Sequence, residues 1–246
     1  MDIPYTYSAE ELELLAAYPE EEQAVLKSRI ESGELSAYVF GKKYFYRSYF
    51  EINRDCLIPR PDTERAVETA VSLLPEGGTF ADLCTGCGCI GLSVLLDRAD
   101  ASAVLIDVSR GALEAAKRNA LSLGVSERAR FTLADILQSD DVGGIYDIIV
   151  SNPPYLRTDE INEYPALAAE PKIALDGGSD GLIFYKRIVT AFEKNLKKGG
   201  FFVFEIGYAQ ADDIKKLADC RGFECRITKD YGGNDRVAIL AKRSAK

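Results

Sequence analysis

The stretch Thr79-Phe80-Ala81-Asp82-Leu83-Cys84-Thr85-Gly86-Cys87-Gly88-Cys89-Ile90-Gly91 decides the fold. Gly86, Gly88 and Gly91 have the spacing G-x-G-x-x-G, following a strand at 79–83 and opening a helix at 89–97. Asp107 ends the next strand, nineteen residues after Gly88. Together these make the fingerprint of a β-α-β unit whose glycine loop approaches a ligand and whose second strand ends on a ribose-binding carboxylate. Outward from this unit the pattern repeats. Strands are expected at 79–83, 103–107, 129–133, 145–150, 200–206, 223–227 and 236–241, and helices at 89–97, 109–123, 179–198 and 208–221. Alternating apolar strands and helices predict an α/β fold, a mainly parallel sheet covered on both faces. The turn Gly232-Gly233-Asn234-Asp235 predicts an antiparallel final pair.

The N-terminal part reads differently. Ser8-Ala9-Glu10-Glu11 has capping-box spacing and opens a helix over 10–17. Pro19 restarts a second helix over 20–31, with Gly33 as its C-cap. Residues 37–52 are rich in aromatics around Gly41-Lys42-Lys43 and read as a β-hairpin of cross-strand pairs. Pro59 and Pro61 stiffen the loop that follows, and Asp62 or Thr63 is placed to cap a helix reaching Leu74. The organisation expected is a helical arm at 1–36, a hairpin and linker at 37–56, and a catalytic domain at 57–246.

Composition excludes several chemistries. There is no histidine among the 246 residues, so Ser-His-Asp triads, Cys-His dyads and His-ligated metals are ruled out. The formal net charge is −9, which argues against a protein that grips duplex DNA stably. The N-terminus Met1-Asp2-Ile3-Pro4-Tyr5 lacks a basic-then-apolar signal pattern, and no apolar stretch reaches membrane-spanning length. A cytoplasmic protein is expected. Cys84, Cys87 and Cys89 superficially resemble a metal motif, but interleaved with glycine at a strand-to-helix turn they read as small packing residues, and no metal is expected.

Several acidic residues stand at strand ends. Asp107 suits the ribose hydroxyls of either NAD or S-adenosylmethionine and does not separate them. Asp82, four residues before Gly86, does: a carboxylate there repels a pyrophosphate and attracts an ammonium or sulfonium, directly or through water. The alternative is that Asp82 only ties down the loop. Asp135 can take an adenine amino group, with Ile136 packing on the ring.

Asn152-Pro153-Pro154-Tyr155 leaves the fourth strand about sixty residues beyond the glycine loop. Two consecutive prolines fix the backbone and remove two amide donors. Carbonyl groups and the Asn152 amide oxygen are then available to a ligand that brings N–H groups, and Tyr155 offers an aromatic wall. The alternative reading is a tight strand-exit loop.

At this point the chain resembles the HemK-type glutamine N5-methyltransferases that modify peptide chain release factors. The resemblance covers residues 38–241 and rests on Ile58-Pro59-Arg60-Pro61-Asp62-Thr63-Glu64, the loop from Asp82 to Gly88, Ile106-Asp107, Asn152-Pro153-Pro154-Tyr155, Glu170-Pro171 with Ala174-Leu175, Gly178 to Leu182, and Phe204-Glu205-Ile206-Gly207. It implies a Rossmann-like seven-stranded class I methyltransferase sheet, S-adenosylmethionine as donor, and the glutamine of the factor's Gly-Gly-Gln motif as acceptor. By matching position Cys84, Thr85, Gly86, Cys87, Gly88, Asp107, Ile136 and Asn152 would contact the donor, and Asn152 to Tyr155 would hold the glutamine. Arg60 would line the substrate entrance, or else pair with Asp62 or Glu64. The family commonly has glycine where Cys84 stands, and the helical region here, about 36 residues, is shorter than the family's. Glutamine in a ribosomal protein, and adenine N6 in nucleic acid, are the alternative acceptors.

Overall fold

The computed structural model describes residues 5–163 and 165–243. Residues 1–4, on which part of the N-terminal reading rests, and residues 164 and 244–246 lie outside that description. Two helices, α1 (Ala9–Ala16) and α2 (Glu20–Glu31), form the arm, and both halves of the capping box between Ser8 and Glu11 are made. Leu15 and Ile30 of the arm join Val39 and Phe40 in a small apolar cluster of their own.

The hairpin is shorter than the aromatic run suggested. Residues Ser36–Phe40 form a helical turn, α3, which Gly41 closes at φ 65. Only β1 (Lys42–Phe45) and β2 (Ser48–Glu51) pair, antiparallel. Period-2 alternation sorts their aromatics: Tyr44 and Tyr49 meet edge-on outside, while Phe45 and Phe50 meet edge-on inside and join the main core. Asn119, 1% exposed, fastens the hairpin to the body. Its Oδ1 accepts from Glu51 N, and its Nδ2 donates to the carbonyls of Glu51 and Cys87.

Beyond α4 (Glu64–Leu73) come β3 (Thr79–Leu83), α5 (Cys89–Asp97), β4 (Ser102–Asp107), α6 (Arg110–Ser122), β5 (Ala129–Leu133) and β6 (Tyr146–Ser151). After a short helix α7 (Thr158–Glu163) follow α8 (Ile183–Ala191), β7 (Leu196–Glu205), α9 (Ala211–Cys220), β8 (Phe223–Lys229) and β9 (Asp235–Lys242). The sheet has seven strands in the order β5-β4-β3-β6-β7-β9-β8, parallel except at β9. Strand alternation divides the core. Phe80, Leu105, Ile148, Val150 and Val203 pack under α4, α5 and α6, and Ala81, Ile106, Ile149, Phe202 and Phe204 pack under α8 and α9.

Residues 179–198, expected as one helix, split. Gly178 and Gly181 sit at φ 86 and 69, outside helical space, and α8 starts only at Ile183. The glycines answer to packing: a Cβ on Gly177 would lie 2.8 Å from Pro154 O, and one on Gly181 2.5 Å from Tyr155 O. The chain order reverses across β3, which pairs with β4 on one side and β6 on the other. That reversal opens a crevice at the carboxyl ends of these strands, where doubly wound sheets bind ligands. None of the described helices is long and apolar enough to cross a membrane.

Phe202 is fully buried, stacked on Phe204 at 5.6 Å and tilted against Phe223 at 5.5 Å. Phe202→Ala is expected to lower unfolding stability by about 3–5 kcal/mol, read as a drop in the urea midpoint with an unchanged slope.

Candidate active site

The loop between β3 and α5 is held from both flanks by carboxylates. Asp107, ending β4, accepts from Gly86 N at 2.8 Å and Ser109 N at 2.9 Å. Asp82 Oδ2 accepts from the Thr85 hydroxyl at 2.6 Å and Gly91 N at 2.9 Å. Gly86 and Gly88 adopt φ 57 and 84. A Cβ at Gly91 would come within 2.9 Å of Asp82 Oδ2, so helix and strand approach this closely only with glycine there. Cys84 also adopts φ 57, a conformation that strains an L side chain.

A cleft with about 1040 Å³ of empty space, counted out to its mouth, lies over this loop. Cys84, Thr85, Gly86, Cys87 and Asp107 line it, as do Asp135, Ile136, Asn152, Pro154 and Arg60. The structure does not bring every expected residue to the wall. Gly88 faces α6, where its position would drive a Cβ to 3.2 Å from Ala116 Cβ. Pro153 is buried beside the cleft, and Tyr155 turns its hydroxyl to Glu205 Oε1 at 3.4 Å, burial and that carboxyl together raising its pKa.

Asp82 departs furthest from expectation. Its side chain is wholly enclosed behind the loop, and Oδ1 has no hydrogen-bond partner. Burial pushes its pKa up to about 7 against the two hydrogen bonds that favour the anion. Direct contact with a ligand cation is therefore corrected to a bracing role, since period 2 turns this residue inward toward α5. The wall itself still carries the charge argument. Asp55, Asp107 and Asp135 stand on it against one guanidinium, Arg60, and Arg60 is already paired with Glu170. A cation is welcome in such a cleft and a pyrophosphate is not.

Arg60 has neither Asp62 nor Glu64 as partner. Glu170, whose side chain is 3% exposed, takes its guanidinium and also accepts from Ile58 N at 3.1 Å. Asp62 meets Arg236 at 3.3 Å, and Glu64 accepts from Tyr46 N at 2.9 Å. Neither Asp62 nor Thr63 caps α4 with its side chain. Sequence reasoning also gave Val108, Ser109, Leu137 and Phe184, which line the cleft, no role, and gave Thr63, which lines it too, only the capping role. Glu170 and Glu205 lay in noticed motifs, yet nothing local signals that either carboxyl would be buried. Among the described residues no group of three or more Cys, Asp or Glu side chains is disposed to hold a metal.

The residues present fit S-adenosylmethionine. Asp107 offers the cleft a carboxylate to which ribose hydroxyls can donate, Ile136, Val108 and Leu137 add apolar lining suited to a ring, and the acidic wall suits a sulfonium. The fold and this cleft define an S-adenosylmethionine-dependent methyltransferase of the Rossmann-like class. Residues 65–170 match the family described as Methyltransferase small domain. A methyltransferase from Pyrococcus furiosus shares the fold, with a TM-score of 0.60 at 17% identity over 91% of this chain and 98% of its own. Among sequence relatives, the release factor glutamine methyltransferase of Rhodospirillum rubrum is 38% identical over 92% of this chain and 71% of its own length. That of Thermodesulfovibrio yellowstonii is 35% identical over 98% and 90%. The chain belongs to the release factor glutamine methyltransferase family.

Asp82 carries a pH prediction. With its pKa raised to about 7 when folded, the folded state holds a proton that the unfolded carboxylate releases near pH 4. The contribution of Asp82 to wild-type stability thus falls as pH rises from about 4 to 7 and levels off above. Asp82→Asn lacks that slope. Denaturant melts of both proteins should show the Asn variant gaining on wild type across that window.

Proposed function

We propose that this protein transfers a methyl group from S-adenosylmethionine to N5 of the glutamine in the Gly-Gly-Gln motif of peptide chain release factors, in the cytoplasm, and so regulates translation termination. One observation carries the reading: Asn152 and Pro154 share a cleft wall with the glycine loop and Asp107, in a chain whose relatives bear that activity in their names. The cofactor supplies an already activated electrophilic methyl group. The residues must therefore position a poor nucleophile, an amide nitrogen whose lone pair is delocalised.

Asn152 Oδ1 and the Pro153 carbonyl accept no protein hydrogen bond among the described residues. Each takes one N–H of the substrate amide in this reading, aiming the nitrogen along the cleft and favouring localisation of its lone pair. Pro154 and Tyr155 clamp the amide plane. Tyr155 holds its ring through Glu205, and Gln210 Nε2 donates to its carbonyl at 3.0 Å. No base is needed beforehand, because the proton leaves to water after transfer. Arg60, which lines the cleft and is tied to Glu170, stands at the substrate entrance in this reading.

The test uses purified protein, labelled S-adenosylmethionine and release factor, with peptide mass mapping. One methyl on the Gly-Gly-Gln glutamine is expected. Asn152→Ala should lower kcat by about 100-fold or more while donor affinity stays within twofold. Donor binding with methylation of a ribosomal protein or nucleic acid instead would redirect the acceptor, and full turnover by Asn152→Ala would refute its role.

A further inference from the structure

Thr63 is 2% exposed and stands at the N-cap position of α4, yet its hydroxyl makes no bond to that helix. A threonine at this position usually caps. Here the side chain turns instead to the carboxyl edge of the sheet, where it lies 3.5 Å from Asn152 Nδ2. The carboxyl whose charge this hydroxyl influences is Glu205, the last residue of β7. Glu205 is 2% exposed, its Oε2 has no hydrogen-bond partner, and Oε1 has the Tyr155 hydroxyl at 3.4 Å. The Thr63 hydroxyl, with Arg236 and Tyr155, favours the ionised form of this carboxyl against its burial.

A hydroxyl offers one proton and two lone pairs. In the contact observed, Asn152 Nδ2 donates and the Thr63 oxygen accepts, and the nearby Glu205 charge favours a hydroxyl proton turned away from Asn152. Only lone pairs then face Asn152. An asparagine amide meeting lone pairs presents its NH2, and its planarity sends Oδ1 the opposite way. We infer that Thr63 is a positioning residue: its hydroxyl, backed by the Glu205 carboxylate, selects the amide orientation of Asn152 that turns Oδ1 to the acceptor nitrogen. The flipped amide would set N–H against the substrate's N–H. At 3.5 Å the contact is at the long end of hydrogen bonding.

The inference rests on Asn152 holding the acceptor amide. Thr63→Val keeps the shape and removes the hydroxyl, and Thr63→Ser keeps the hydroxyl. Both are assayed on release factor at pH 8, above the value of about 7 to which Glu205 is raised, with kcat, KM for the factor, donor affinity and Tm measured. Thr63→Val should lose about tenfold or more in kcat, with KM and donor affinity little changed, and Thr63→Ser should recover most of that loss. A Thr63→Val enzyme of near wild-type kcat, a Thr63→Ser enzyme as impaired as Thr63→Val, or a fall in donor affinity that accounts for the lost turnover would each overturn the role. An inactive wild type in the same assay would instead count against the acceptor assignment.

Discussion

The structure depends on a buried carboxylate at the topological switch point. Asp82 faces α5 from β3, an interior strand of the sheet, paired on one side with Leu105 and on the other with Val150. It holds Thr85 and Gly91 at once, so the loop and the first turn of α5 are tied to the strand before them. A buried anion with one unpaired oxygen is costly, and the upward shift of its pKa measures that cost. What it secures is a loop whose glycines can come close to a ligand while Asp107 braces it from the neighbouring strand. The cleft, and the wall that carries Asn152 and Pro154, are arranged around that fixed turn.

The second layer is made by the proline-flanked loop from Ile58 to Glu64, which lies across the acceptor motif. Three of its side chains reach three separate parts of the chain: Arg60 to Glu170, Asp62 to Arg236, and Thr63 to Asn152. Arg236, with its side chain 11% exposed, also meets Asp230, so the far edge of the sheet is drawn into the same network. Glu170 and Asp230 are buried, so losing the arginine opposite either strands its charge, and these pairs help hold the loop and its 3-10 turn, Pro61–Thr63, in one place. Rigid walls suit a reaction that relies on aiming a weak nucleophile.

Much was legible in the sequence. The seven strands fall within a few residues of their expected positions because apolar strand segments bounded by turns survive any tertiary context. The glycine loop and the proline pair were readable since backbone constraint is a local property. Illegible were contacts made at a distance. Asp82 has the same spacing whether it faces a ligand or the helix behind it, and Arg60 has acidic neighbours in sequence but chose Glu170, 110 positions away. The split of residues 179–198 followed from the close approach of Gly177 and Gly181 to the backbone of Pro154 and Tyr155.

By itself, the sequence determined the strand and helix alternation, the ligand loop, the acceptor-rich motif and the exclusion of imidazole chemistry. Each follows from the identity and spacing of neighbouring residues. The tertiary structure decided which carboxylates face the cleft and which brace it, where Arg60 and Asp62 find their partners, and that Thr63 turns from its helix toward Asn152. Those outcomes depend on burial and on the meeting of distant strand ends, and both exist only once the sheet has assembled.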